Sequence, residues 1–187
     1  MKTYWFFIIL SAIAFSLGGI YLFFGKEKRV EVTPTPNSLP LASPQSWKGI
    51  TPGQTQQQEV LSLLGQPEKT QVEKDRVVFS YPTQRQGIDN EVFFEKDRVG
   101  LIKEQIIDDQ GSLPSFIQKF GEPEVKLFGP YASSGFLVYV FAASGIALVA
   151  HPDGGIVFET WYFTPMTLEE FRAKWGQELS ETQSPRF

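Results

Sequence analysis

The chain has 187 residues, no cysteine, one histidine and a formal charge of −4. Without cysteine, disulfides, thiolate metal sites and lipid attachment through a cysteine are excluded. Setting aside residues 1–29 removes four of the 17 basic residues and one of the 21 acidic ones, which leaves the body at −7 and argues against a nucleic-acid partner, since phosphate binding needs a basic face. The 17 Phe, 6 Tyr and 4 Trp favour half-buried pleated surfaces, so strands are expected.

Trp5 to Phe24 runs for 20 residues without a charge, between Lys2 and the group Lys26, Lys28, Arg29. As a helix at ~1.5 Å per residue it reaches ~30 Å, the thickness of a bilayer core. No small-x-small cleavage site follows it, so the expectation is an uncleaved single-pass anchor within residues 1–29, in the inner (cytoplasmic) membrane. The basic residues after the run would by the positive-inside rule keep the domain in the cytoplasm; the family resemblance described below favours an extracytoplasmic domain, and that is the orientation expected. Residues 30–46 carry Pro34, Pro36, Pro40 and Pro44 among Thr, Ser and Asn, and read as an extended linker.

The folded domain is expected over residues 47–178, and it opens on its most legible stretch, Gly49 to Pro67. Thr55 is placed to cap the amide of Gln58, Val60, Leu61 and Leu64 share a helix face, Gly65 suits the stop and Pro67 forbids continuation. Arg76 to Tyr81, Asp89 to Glu95 and Val99 to Ile107 read as strands, with Lys96-Asp97-Arg98 as a turn. The order then repeats. Leu113 to Pro123 sets Phe116, Ile117 and Phe120 where Val60, Leu61 and Leu64 stood, and Phe136 to Ala142, Gly145 to Ala150 and Ile156 to Phe163 follow as strands, the last two joined by Pro152-Asp153-Gly154-Gly155. A third helix, Thr167 to Trp175, has a capping box from Thr167 to Glu170 and an apolar face of Leu168, Phe171 and Trp175, suited to covering sheet. Residues 179–187 read as a polar flexible tail.

The predicted fold class is therefore α+β: an N-terminal transmembrane helix, then two tandem repeats of a helix plus a three-stranded meander forming one antiparallel sheet covered by helices, with a C-terminal helix. The Gly49-Ile50-Thr51-Pro52-Gly53-Gln54-Thr55 opening, with Glu59-Val60-Leu61 and Leu64-Gly65-Gln66-Pro67, resembles the start of the SmpA/OmlA (BamE-like) family. The tandem layout is similar to the double-repeat form seen in beta-lactamase inhibitor proteins. The resemblance implies a small envelope protein that works through its surface. It also implies a lipidated cysteine near the N-terminus, which this chain lacks, so Trp5 to Phe24 would substitute for the lipid.

A search for chemistry yields no catalytic, cofactor-binding or metal-binding set, and no small-molecule substrate is evident. His151, beside Pro152-Asp153-Gly154-Gly155, reads as a turn-flanking residue without a nucleophile elbow near it. Asp108-Asp109 with Glu104 is the densest acidic group, matches no EF-hand and more simply supplies a turn ahead of a helix. Gly129 to Gly135 lacks the Lys-Ser/Thr of a phosphate cradle and reads as a connecting loop whose flanking aromatics suit a contact surface. The candidate protein-binding residues are Phe128 and Tyr131, with Trp161 and Phe163, which must share a sheet face opposite Tyr162. The expectation is a membrane-anchored, non-enzymatic module that binds another protein of the bacterial envelope during assembly or maintenance of an envelope complex. The alternative is an enzyme inhibitor acting through loop 129–135.

Overall fold

The computed structural model describes residues 42–73, 76–85, 87–107 and 111–182. The described chain begins its core at a tight turn in which Trp47 and Ile50 exchange backbone hydrogen bonds of 2.9 and 2.8 Å, and both side chains are buried. Helix α1 (Gln57–Leu64) follows, and its cap is not Thr55. The Thr55 hydroxyl already accepts the Thr51 amide at 2.9 Å, closing the Thr51-Pro52-Gly53 turn, so the helix starts one residue on, where the Gln56 amide donates to Glu59 Oε2 at 2.6 Å. Gly65, at φ 81, ends it as expected of a residue with no Cβ.

The strands are β1 (Lys69–Glu73), β2 (Arg76–Pro82), β3 (Asp89–Glu95), β4 (Arg98–Gln105), then, after helix α2 (Leu113–Phe120), β5 (Val125–Phe128), β6 (Leu137–Phe141), β7 (Ile146–Ala150) and β8 (Val157–Phe163), with helix α3 (Leu168–Lys174) last. They form one antiparallel sheet in the order β1-β2-β3-β4-β8-β7-β6-β5. The halves meet where β4 pairs with β8, Leu101 opposite Phe163 and Gln105 opposite Glu159.

The two halves repeat in backbone detail. Gln56, ahead of α1, bridges to Arg98, and Ser112, ahead of α2, bridges to Ile156. Gly121 ends α2 at φ 85 as Gly65 ends α1. Both final hairpins carry a bulge, since Phe93 and Phe94 pair with Leu101 and Val99, skipping Gly100, while Val149 and Ala150 pair with Glu159 and Val157, skipping Phe158.

Alternation along the strands sends side chains to two faces, and both are covered. On one face, α1 lays Val60 over Phe79, Val92, Phe94, Val99 and Ile102, and α2 lays Phe116, Ile117 and Phe120 over Tyr139, Phe141, Ile146 and Leu148. Tyr162 lies between these clusters and donates its hydroxyl to Glu104 at 2.7 Å. On the other face α3 buries Phe171 against Phe163, ring centroids 5.1 Å apart, and against Trp161. Full burial of a side chain of this size is worth roughly 1.5–3 kcal/mol, so α3 makes a real contribution to holding this face.

Two expectations need correction. Each meander has four strands, not three: β1 and β5 were not anticipated. β1 reads Lys-Thr-Gln-Val-Glu, an edge strand exposed from Lys69 to Val72, and without a buried face it carries no alternation of apolar and polar residues. β5 has only four residues. The second correction concerns the expected transmembrane helix, and with it the signal anchor and the single-pass inner-membrane localisation. No helix among the described residues is long and apolar enough to cross a membrane. α1 and α2 have eight residues each, reaching ~12 Å against the ~30 Å of a bilayer core. The stretch Trp5 to Phe24 on which the anchor was placed lies outside the described residues, as do residues 30–41 of the linker.

Candidate functional site

The face covered by α3 is not covered along its whole length. Beyond the helix, toward the β3–β4–β8 junction, the sheet forms the floor of a cleft of about 210 Å³. Its walls are the turn at Gly87, Ile88 and Asp89 and the loop that carries Gly129, Pro130, Tyr131 and Phe136. The floor follows from register: Glu91 on β3 pairs with Lys103 on β4, Lys103 pairs with Trp161 on β8, and Gln105 pairs with Glu159 one row over. These side chains share one face because they are two residues apart along their strands.

Glu159 is the centre of this floor. It is 4% exposed, its carboxylate accepts hydrogen bonds from Trp161 Nε1 and Gln105 Nε2, and no ion pair reaches it among the described residues. A buried carboxylate held only by neutral donors is costly, and such groups normally pair. The nearest cation on the floor is committed elsewhere: Lys103 Nζ lies 5.0 Å from the Phe93 ring centroid, 4.9 Å from that of Trp161, and 3.9 Å from Glu91. Asp89 is likewise engaged, by Lys69 at 3.3 Å. Gln105 Oε1 is buried and has no hydrogen-bond partner.

The wall is aromatic. Tyr131 is 39% exposed and meets Phe158 edge-on with centroids 4.9 Å apart, and Phe136 packs on Phe158 and on the His151 ring. Phe158 belongs to this group because it is the extra residue of the β8 bulge, which partners it with the loop. Burial, with the charges of Glu159 and Glu91 adding to it, pushes the Tyr131 phenol above its ordinary value, so its proton is kept at neutral pH.

The four residues singled out in the sequence fall in different places. Tyr131 stands on the cleft wall and Trp161 on its floor, 5% exposed. Phe163 is fully buried beneath α3 and takes no part in the surface. Phe128 lies on edge strand β5, half-buried, with its backbone exchanging hydrogen bonds of 2.7 and 3.0 Å with Ser180. Loop 129–135 folds as a short 3₁₀ turn at Ala132–Ser134 that ends at Gly135 with φ 85. His151 flanks its turn, its Nδ1 accepting the Asp153 amide at 3.3 Å. Asp108 and Asp109 lie outside the described residues. Among the described residues no group of three or more His, Asp or Glu is placed to hold a metal.

Glu159, Gln105 and Lys103 were not picked out from the sequence. The signal was present for one of them: Glu159 is the single charge within Val157–Phe163, a strand otherwise made of apolar residues and Thr160. A carboxylate inside such a strand is either paired or functional.

No protein-family model matches the chain, and no curated protein matches it. Among solved structures, the chain is similar to a DUF4309 family protein, YjgB, from Bacillus subtilis, at 15% identity and a TM-score of 0.47, covering 65% of this chain and 86% of that one. It is also similar to a cysteine-rich secretory protein, SAV1118, from Staphylococcus aureus, at 11% identity and a TM-score of 0.49, covering 78% of this chain and 55% of that one. The chain thus spans about half of the second protein, and at these TM-scores neither likeness carries an argument about fold or function.

Proposed function

We propose that this domain is a non-enzymatic protein-binding module whose contact surface is the cleft between turn 87–89 and loop 129–136. The observation that carries the reading is the cleft itself: a polar floor with the buried Glu159 carboxylate at its centre, under a partly exposed aromatic wall with Tyr131 at its rim. Aromatic residues at the edge of a desolvated pocket are where protein interfaces concentrate their binding energy. The volume of about 210 Å³ is below the ~300–1,000 Å³ of sites that enclose a small-molecule ligand, and suits one side chain of a partner. The resemblance of Gly49 to Pro67 to the SmpA/OmlA family supports the same class of function, and a role in assembling or maintaining an envelope complex rests on that resemblance alone. The inhibitor reading would use the same loop, since Tyr131 lies within residues 129–135.

The test is a photo-crosslinker placed at Tyr131, with a second placed at exposed Leu63 on α1 as control. A discrete adduct formed from Tyr131 and not from Leu63, and lost when Phe136→Lys is added to a chain that still folds, is the expected result. Equal labelling from both positions would sink the reading.

A further inference from the structure

The unpartnered groups of the cleft have one property in common: they accept hydrogen bonds. The Glu159 carboxylate offers more lone pairs than its two donors use, and Gln105, which also lines the cleft, has a buried Oε1 with no donor. A ligand complementary to such a set is rich in donors and carries no acceptor, and among protein groups that are cationic at neutral pH ammonium and guanidinium answer to that description. The walls agree with this, because the rings of Tyr131, Phe136 and Trp161 line the cleft and aromatic faces attract cations. The floor already uses that attraction internally, where Lys103 rests between Phe93 and Trp161.

We infer that the cleft captures a basic side chain, arginine or lysine, of a protein partner, with Glu159 and Gln105 Oε1 receiving its N–H groups and Tyr131 and Phe136 flanking it. The inference rests on the protein-binding reading above and adds the chemistry of the partner. Two details of charge favour this occupant over any other. The three carboxylates of the lining outnumber its single lysine, and of the three only Glu159 has no cation paired with it among the described residues. A cation entering the cleft would therefore meet a carboxylate that is already desolvated, so the cost of burying that charge has been met in the fold before the partner arrives. Arginine fits better than lysine, since its planar fork can serve Glu159 and Gln105 together while stacking on a ring.

The experiment titrates the full ¹⁵N-labelled chain with N-acetyl-arginine methylamide, with N-acetyl-norleucine methylamide and N-acetyl-glutamate methylamide as controls. The readout is the indole N–H resonance of Trp161, assigned with Trp161→Phe, because that group donates directly to Glu159. Expected is a saturable shift with the arginine probe alone, weakened at least about tenfold in Glu159→Gln, the scale of losing one hydrogen bond to a charged group. Shifts that do not saturate, that are equal for the three probes, or that persist in Glu159→Gln would overturn the assignment. The two readings fail separately. A flat arginine titration beside an intact Tyr131 crosslink overturns the cationic ligand and leaves the binding surface standing, whereas saturable arginine uptake without that crosslink overturns the protein-binding reading.

Discussion

If Glu159 is charged for the sake of a ligand, neutralising it should not harm the fold, and a pair of substitutions separates the charge from the hydrogen bonds. In Glu159→Gln the side-chain carbonyl still accepts Trp161 Nε1–H, and the new amide N–H₂ can donate to Gln105 once that amide rotates to present Oε1, which at present has no partner. Trp161 Nε1 keeps its acceptor, and the rotated Gln105 amide places Nε2 in the buried position that Oε1 holds now, so Gln105 still has one unpartnered group and the count does not rise. Removing a buried, uncompensated charge recovers desolvation energy, so the variant should be between neutral and about 2 kcal/mol more stable. Glu159→Leu behaves otherwise. It leaves Trp161 Nε1 and Gln105 Nε2 both without acceptors, at about 1–3 kcal/mol for each buried group, so destabilisation of roughly 2 kcal/mol or more is expected. Urea unfolding followed by tryptophan fluorescence resolves this. With a slope of about 2 kcal/mol/M, the two variants should differ in midpoint by ~1 M or more, with the glutamine form at or above the wild type. A glutamine variant as unstable as the leucine variant would show that the negative charge is a structural requirement, and the argument that it is held for a ligand would fail.

Three further outcomes test the fold. Gly145→Ala should unfold the β7 end of the sheet, because at φ 69 a Cβ would lie 2.3 Å from the Phe163 carbonyl oxygen and 3.0 Å from Pro165 Cδ, and the backbone is pinned by the 2.9 Å bond from Phe163 N to Gly145 O; a midpoint unchanged from wild type would refute that constraint. Thr167→Ala, which removes the N-cap of α3 and its 3.2 Å bond from the Glu170 amide, should cost ~1 kcal/mol at neutral pH. Hydrogen bonds from the Thr167 amide and hydroxyl hold the Glu170 carboxyl below its ordinary value of 4.5, so its contribution is complete above that value and is lost as pH falls through the lower folded-state value; the gap between wild type and Thr167→Ala should narrow in acid by the share of the hydroxyl–carboxylate bond, the cap bond to the Glu170 amide persisting, and a gap that widens there would reverse the sign. Truncation after Gly176 removes Leu179 from the core and both backbone bonds between Ser180 and Phe128, baring the β5 edge, and light scattering should show self-association that the full chain does not.

Local signals in the sequence were enough for the helices and the inner strands, and for the fact that the second half repeats the first. Val60, Leu61 and Leu64 recur as Phe116, Ile117 and Phe120 at the same helical spacing, each followed by glycine and proline, and a periodicity of this kind is set by residues within a turn or two of one another. Edge strand β1 escaped because a strand exposed along its length leaves no periodic trace, and β5 because its alternation runs for only four residues. Thr55 looked like a cap because its competing partner, the Thr51 amide, is engaged only once the turn has closed.

The candidate site was legible in its aromatic parts only. Tyr131 and Trp161 were marked by residue type, whereas Phe163 shares that type and lies beneath α3. What joins Glu159 to Gln105, 54 residues apart, is the β4–β8 register, and what brings Phe158 against Tyr131 is a one-residue bulge. The amino-acid sequence by itself determined which segments become helix or inner strand, since that depends on side-chain order along a short stretch. Only the tertiary structure decided which face each helix covers and which buried carboxylate has no cation beside it, because both depend on strand pairing between distant parts of the chain, and a shift of one residue in that pairing would turn Glu159 to the opposite face.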